Sequence, residues 1–214
     1  MSDVATLISA LNDYGFEDSS TNTKVREIQN AIRDIEKMRP WPFLEASILL
    51  TFDGSADSPN NMPVAWKSTL KVWDITGRRR VRPIRLDDFD ELVGADFAQA
   101  GAPQVYWNEG NSLNFWPIPP ATQSVRLRYL QWSAAITSSS PESAILIPPR
   151  HHEAIQLGAL LRLYDMEDDP ELAVRFEARY QKLLADMVED CFRLQFDQPD
   201  FVHHITDGDD YEDL

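Results

Sequence analysis

Two pairs of adjacent histidines, His151–His152 and His203–His204, are the residues whose type most invites a metal ion. Neighbours on a helix or strand point apart, so an adjacent pair rarely closes on one ion, and no zinc-ligand spacing accompanies either pair. They read as polar surface or interface histidines. The run TDGDDYED, residues 206–213, crowds carboxylates that suit calcium. It lacks the D-x-D-x-D-G-x5-E order of an EF-hand loop and reads as a solvated acidic tail. Two carboxylates in a cleft can perform general acid–base work, as in glycoside hydrolysis. With 35 acidic side chains in the sequence, chance pairs are common, so no pair singles itself out. The single cysteine, Cys191, excludes an intramolecular disulfide and a cysteine-based zinc site, and fits a reducing compartment. No Gly-rich phosphate loop, GxSxG elbow or HExxH motif is present. Neither a cofactor nor a catalytic residue is expected.

Arg78, Arg79, Arg80, Arg82 and Arg85 form the one dense basic cluster. Three readings compete: a nucleic-acid contact, a solvated hairpin, and complementarity to an acidic surface on a neighbouring subunit or partner. The net charge of −15 favours the last over DNA, because tight phosphate-backbone binding needs Lys and Arg to displace counterions. The acid is concentrated late in the chain. Residues 151–200 carry 12 acidic and 5 basic side chains, and residues 201–214 carry 5 acids and no base. Trp41, Phe43, Trp107, Trp116 and Trp132 read as core anchors rather than as a ligand box.

The elements that must position these residues follow from periodicity. Val4, Leu7, Ile8, Leu11 and Tyr14 predict a helix over 3–14, stopped by Gly15. Asn22 or Thr23 is the expected cap of a second helix, which presents Val25, Ile28, Ile32 and Ile35 and ends before Pro40. Between about 45 and 135 short alternating runs and turn signals predict strands. LKVWDI and RRRVRPI flank a turn at Thr76–Gly77, and VYWNE and SLNFW flank one near Gly110–Asn111. LDDFDELV predicts one or two helical turns capped by Asp87. In QSVRLRYLQW, Val125, Leu127 and Tyr129 fall on one side, Arg126 and Arg128 on the other. A Ser/Pro-rich connection covers 133–149.

Helices return after Pro148–Pro149. Residues 155–164 are apolar almost all round, which predicts burial on most sides, by their own chain or by neighbours, and more cover than one small domain easily gives. Asp169 and Pro170 then start a last helix with the stripe Leu172, Phe176, Tyr180, Leu183, Met187, Cys191, Leu194. After Gln195 the chain reads as an extended arm with Phe196, Phe201, Val202, Ile205, Tyr211 and Leu214 as anchors among acids and histidines. The resulting fold class is α+β: a helical bundle body with an inserted antiparallel β domain and an extended C-terminal arm. The boundaries are 1–44, 45–147, 148–195 and 196–214.

At 214 residues the chain is long enough to bury a real core, and 43% hydrophobic with 26% charged residues excludes disorder of the whole. The start carries Asp3 and no basic run, so no secretory signal is expected. No apolar run approaches the roughly 18 residues of a membrane span.

Three stretches carry a resemblance: RDIEKMRPWPFLE (33–45), SLNFWPIPPATQSVRLRYLQW (112–132) and IPPRHHEAIQLGALLRLYDMEDDPELAVRFEARYQKLLADM (147–187). Their order and spacing resemble tailed-bacteriophage head-to-tail connector proteins, the adaptor or tail-tubular-A-like subunits. The likeness covers roughly residues 3–195. It implies a structural virion protein without a cofactor, in a closed ring of about twelve copies. Its implied partners are the portal protein, the next tail or neck protein and copies of itself. DNA would pass through the acidic channel without specific binding, for retention and ejection of the genome. The place is the neck of the virion, after assembly in the host cytoplasm, with no membrane partner. In such adaptors the C-terminal segment reaches into crevices between portal subunits, and that role is carried only to Phe196–Leu214. The rival readings are a tail-completion or stopper ring and a virion-associated peptidoglycan hydrolase.

Overall fold

The computed structural model describes residues 3–54, 60–93, 98–166 and 170–196. These divide into two compact units: residues up to Phe43 together with those from Ser133 onward, and Leu44–Trp132.

The first unit is helical. Helix α1 (Val4–Asn12) is capped by Asp3, whose carboxylate accepts from the Thr6 N–H at 2.8 Å. Helix α2 (Thr21–Met38) is capped by Ser20, which accepts from the Thr23 N–H at 3.1 Å. The caps expected at Asn22 or Thr23 are thus corrected to Ser20; both residues lie inside the first turn. After α2, Trp41 is fully buried, donates its indole N–H to the Ile35 carbonyl at 2.6 Å and stacks on Phe43. This explains the PWPFL run: Pro40 stops the helix, and the indole N–H satisfies a helix-end carbonyl that has lost its own partner. Helices α4 (His152–Met166) and α5 (Pro170–Phe196) complete the unit. Helix α4 is central and packs on α1, α2 and α5. Ile155, Leu157, Ala159, Leu160 and Leu163 are all buried by residues of the same chain. The expectation that α4 requires neighbouring copies for cover is overturned: three helices of its own unit shield it.

The second unit is a seven-stranded sheet, ordered β1-β7-β3-β4-β5-β6-β2. The strands are β1 (Glu45–Thr51), β2 (Asn60–Asn61), β3 (Trp66–Asp74), β4 (Arg79–Pro83), β5 (Val105–Glu109), β6 (Ser112–Trp116) and β7 (Ser124–Gln131). Its core gathers Leu50, Val72, Val81, Leu113, Val125 and Leu127. Helix α3 (Leu86–Val93) joins β4 to β5 and buries Phe89 against Trp107, with ring centroids 4.2 Å apart. Asp87 lies in its first turn and not at its cap.

The expected fold class is corrected here. A helical bundle body with an inserted antiparallel β domain is not what the structure shows. The fold is mixed α+β with five α-helices among the described residues, one of them (α3) inside the sheet segment. The sheet is itself mixed, because β4 pairs with β5 in parallel. The reason is the connection between them. Two hairpins in succession would keep the sheet antiparallel, but a crossover containing α3 returns the chain to the starting end before β5 begins, and parallel neighbours require such a crossover. The extended arm is corrected at its first residue, since Phe196 closes α5. Phe201, Val202, Ile205, Tyr211 and Leu214 lie outside the described residues, as do His203, His204 and the TDGDDYED run.

Candidate functional site

The groups with chemical potential sort into three places. In the helical unit, Arg150, His151, Asp190 and Cys191 meet where the chain enters α4 and passes along α5. Asp190 Oδ2 lies 2.5 Å from Arg150 Nε and 3.1 Å from His151 Nε2. Cys191 Sγ lies 3.9 Å from that same His151 nitrogen. Burial holds the His151 pKa below its usual value, the Arg150 guanidinium adds to the effect, and Asp190 opposes it without prevailing. Burial pushes the Cys191 thiol up. The hydrogen bond from Arg150 holds Asp190 below the ordinary carboxylate range. A Cys–His–Asp relay needs the base to face its nucleophile with one ring nitrogen and its orienting acid with the other. Here one nitrogen faces both, and the thiol is kept protonated. The cluster therefore ties α4 to α5 and is not arranged as a nucleophilic centre. His152 points elsewhere, its Nε2 at 2.9 Å from the Ile147 carbonyl. No group of three or more potential metal ligands occurs among the described residues.

An open cleft of about 320 Å³ lies between α2, α4 and α5. Its polar lining is Asp34, Arg162, Asp165 and Tyr180. Arg162 is ion-paired with Asp34 and stands 3.9 Å from Glu27. Burial first, then Asp34 and Glu177, push the Tyr180 hydroxyl up to about 12. The tyrosine stays protonated at neutral pH, and the arginine is already matched by carboxylates.

The third place is the sheet. Its register divides the arginine cluster. Arg79 turns to the core side, where its guanidinium donates to the Ala102 carbonyl at 2.6 Å and its Nε lies 3.6 Å from the buried Asp74. Asp74 in turn accepts from the Gly77 N–H at 2.9 Å and from Gln123. Arg78 holds the left-handed conformation of the β3–β4 turn at φ 52°. Arg85 is exposed just before α3. Only Arg80 and Arg82 point outward from β4.

What they join was not apparent from the local sequence. Leu49, Arg126, Trp73 and Arg80 are direct cross-strand partners on β1, β7, β3 and β4, forming one row on one face. Arg128 and Lys71 pair in the next row of the same face. All six are exposed. Lys71 Nζ sits 4.7 Å from the Trp73 ring centroid, a cation–π contact on that face. Arg128 is paired with Glu45 at 2.6 Å. Arg80, Arg82 and Arg126 have no ion-pair partner among the described residues. The signal that could have found this face is the alternation of R126-L-R128 and K71-V-W73, once the order β7-β3-β4 is known. Of the aromatic anchors, Trp41 is fully buried, whereas Phe43, Trp107, Trp116 and Trp132 are half-buried.

A family model described as SU10 adaptor protein matches residues 2–200. The chain belongs to the SU10 adaptor protein family. No curated protein matches it. Membership agrees with the resemblance to phage head-to-tail adaptors carried by the PWPFL, LRY and IPP stretches. An SU10 adaptor is a structural phage protein and a virion component, which binds other virion proteins such as portal or tail. No helix among the described residues is long and apolar enough to cross a membrane.

Proposed function

We propose that this chain is the subunit of a connector ring that bridges portal and tail in the neck of a phage virion. The single observation that carries the reading is the adaptor family match over residues 2–200. In this reading about twelve copies close into a ring by head-to-tail contacts. The ring continues the portal channel, and its net charge of −15 repels the genome from the wall so that DNA passes without sticking. Genome retention before infection and ejection during it depend on that joint. The segment after α5 supplies the portal contact: Phe201, Val202, Ile205, Tyr211 and Leu214 space apolar anchors among acids, a pattern suited to docking in pockets between subunits. Assembly takes place in the host cytoplasm, and the next tail or neck protein binds the face away from the portal.

The test is direct imaging of the full chain mixed with portal particles. A ring seated on the portal's narrow end supports the reading, and binding to isolated tails alone removes it. A chain ending at Phe196 should lose portal binding. Co-purification of the shortened chain with portal at the full-length yield would refute the docking role of the last segment.

A further inference from the structure

The sheet ends in β1, and the outer edge of that strand is open. Among the described residues no strand pairs with it, and its register against β7 runs unbroken from Glu45 to Thr51. A long, regular edge is a template for a further strand, and proteins blunt such edges with lysine, proline or bulges. Residues 45–51 hold none of these. Their one charge, Glu45, sits at the first position and is already paired with Arg128.

The direction of the free backbone groups follows from the hydrogen bonds of β7. Trp132 donates its N–H to the Ala65 carbonyl at 2.7 Å, and Ile75 donates to the Ser124 carbonyl at 2.9 Å. Even-numbered residues of β7 therefore aim their backbone at β3, and odd-numbered ones aim at β1. Val125, Leu127 and Tyr129 stand opposite Leu50, Ile48 and Ala46. The N–H and C=O groups of Glu45, Ser47, Leu49 and Thr51 consequently point away from the sheet.

Apolar surface is exposed on both faces of this edge. Val81, Val72, Leu127 and Ile48 are successive cross-strand partners in one core row. The first three are at most 1% exposed, whereas Ile48 is 41% exposed, because the sheet stops there. On the opposite face Leu49 is 52% exposed. The occupant that fits is β1 of a second copy, running antiparallel. A two-fold axis through Ile48 sets Ser47 opposite Leu49 and Glu45 opposite Thr51, so every outward residue of one strand meets an outward residue of the other. Ile48 meets its own counterpart and carries the core row across the axis. The only charge meets a threonine, so no like charges stand opposite each other. A charged strand fits less well, because it sets ionised side chains against Ile48 and Leu49.

We infer that β1 pairs with β1 of a second copy in the free protein, joining the two sheets about an axis at Ile48. The pair covers the open edge before the chain enters an assembly. It goes beyond the connector reading, which concerns head-to-tail contacts in the neck, since a two-fold contact closes at two copies.

Sedimentation of the full chain tests it. One strand pair is smaller than a standard interface of about 1,600 Å², so the pair should be reversible, dimeric at about 100 µM and monomeric at about 1 µM. Main-chain and apolar contacts escape screening, so the dimer should persist at about 0.5 M salt. The amides of Ser47 and Leu49 should exchange about tenfold more slowly at the higher protein concentration. Ser47→Pro removes an outward N–H, which an edge strand tolerates, and should lower the association constant about tenfold or more. Leu49→Lys, at an exposed position, should do the same and serves if the proline variant fails to fold. Ile48→Lys and Ile48→Glu should each be monomeric alone and pair when mixed, because position 48 faces itself across the axis. A chain that stays monomeric at the higher concentration would overturn the inference. So would a dimer that Ser47→Pro and Leu49→Lys leave intact. A dimer dissolved by salt, or by Arg80→Glu with Arg126→Glu, would move the contact to the basic face, and association beyond two copies would make it head-to-tail; either result refutes the strand pair. None of these measurements involves portal, so failure here leaves the connector reading standing, and failure of portal binding leaves the strand pair standing.

Discussion

The carboxylate of Glu36, fully buried at the end of α2, accepts the backbone N–H of Ser133 at 2.9 Å across 97 positions of sequence. Its other oxygen takes the Arg33 guanidinium at 3.1 Å, and Arg33 also donates to the Ser133 carbonyl at 2.7 Å. The chain leaves the helical unit after α2 and re-enters it at Ser133, so this pair fastens the two crossing points together. Removing the carboxylate leaves the buried Ser133 N–H without its acceptor and takes one charge-assisted hydrogen bond from Arg33, and such losses cost about 2 kcal/mol. Glu36→Ala is expected to lower the urea midpoint accordingly, with Glu36→Gln losing less because it keeps an acceptor. A Glu36→Ala midpoint within error of the unaltered protein would show that the fastening is incidental.

Gly158 lets α4 approach its neighbours. A Cβ built there would stand 3.1 Å from Ala31 Cβ on α2 and 3.3 Å from the Tyr180 ring on α5. Two helices are therefore seated against one position. Gly158→Leu forces both apart and should cost about 2–3 kcal/mol. Gly158→Ala should be close to neutral, because the roughly 1 kcal/mol gain in helix propensity offsets the tight contact. Thermal unfolding of the two variants side by side separates packing from propensity, and equal stability of both would contradict the close seating.

The helices were legible in the sequence because each carries a strong local signal: the Ile28, Ile32, Ile35 stripe of α2, the Pro40 stop and the Pro170 start. Strands β1 and β3 to β7 and the Gly110–Asn111 turn, where Gly110 has φ 58°, follow from equally local patterns, whereas the two-residue β2 lies in a stretch with the composition of a loop. The parallel β4–β5 pairing was not legible, since strand order depends on where the crossover through α3 lies against the sheet. The basic face was hidden for the same reason. Five clustered arginines suggested one patch, but period-2 alternation sends Arg79 inward, and the register brings Arg126 in from a strand some 40 residues away. The cover of α4 failed as a sequence inference because an all-round apolar helix is buried equally well by its own chain or by another.

Asp74 organises the β3–β4 turn. It is fully buried, and one oxygen accepts both the Gly77 N–H and the Gln123 amide while Arg79 approaches the other. Asp74→Ala removes the acceptor of Gly77 and Gln123 and the charge facing Arg79, and should destabilise the chain by about 2–4 kcal/mol. Because the turn presents Arg78 and Arg80, the same variant should also speed amide exchange in 75–82 more than in α4. Uniform loss of protection across both units would argue against this local role.

The His151 cluster gives a pH dependence with a defined sign. Burial, aided by Arg150, holds the folded-state pKa of His151 below 6.5. The unfolded chain therefore takes up a proton first as pH falls below about 6.5, and the folded state loses stability from there down to its own lower pKa. Above 6.5 the contribution is fully present. Asp190 is also depressed, but it acts in a separate window, below the 3.8 of a free aspartate. Cys191, raised by burial, titrates on the alkaline side and does not enter the acid limb. The unaltered chain should thus show a urea midpoint that declines from pH 7 to 5, and His151→Gln should flatten part of that decline whatever its effect at pH 7. Parallel slopes for the two proteins over that range would mean that His151 titrates alike in both states, and the packed Arg150–His151–Asp190 geometry would then lose its role in setting acid stability.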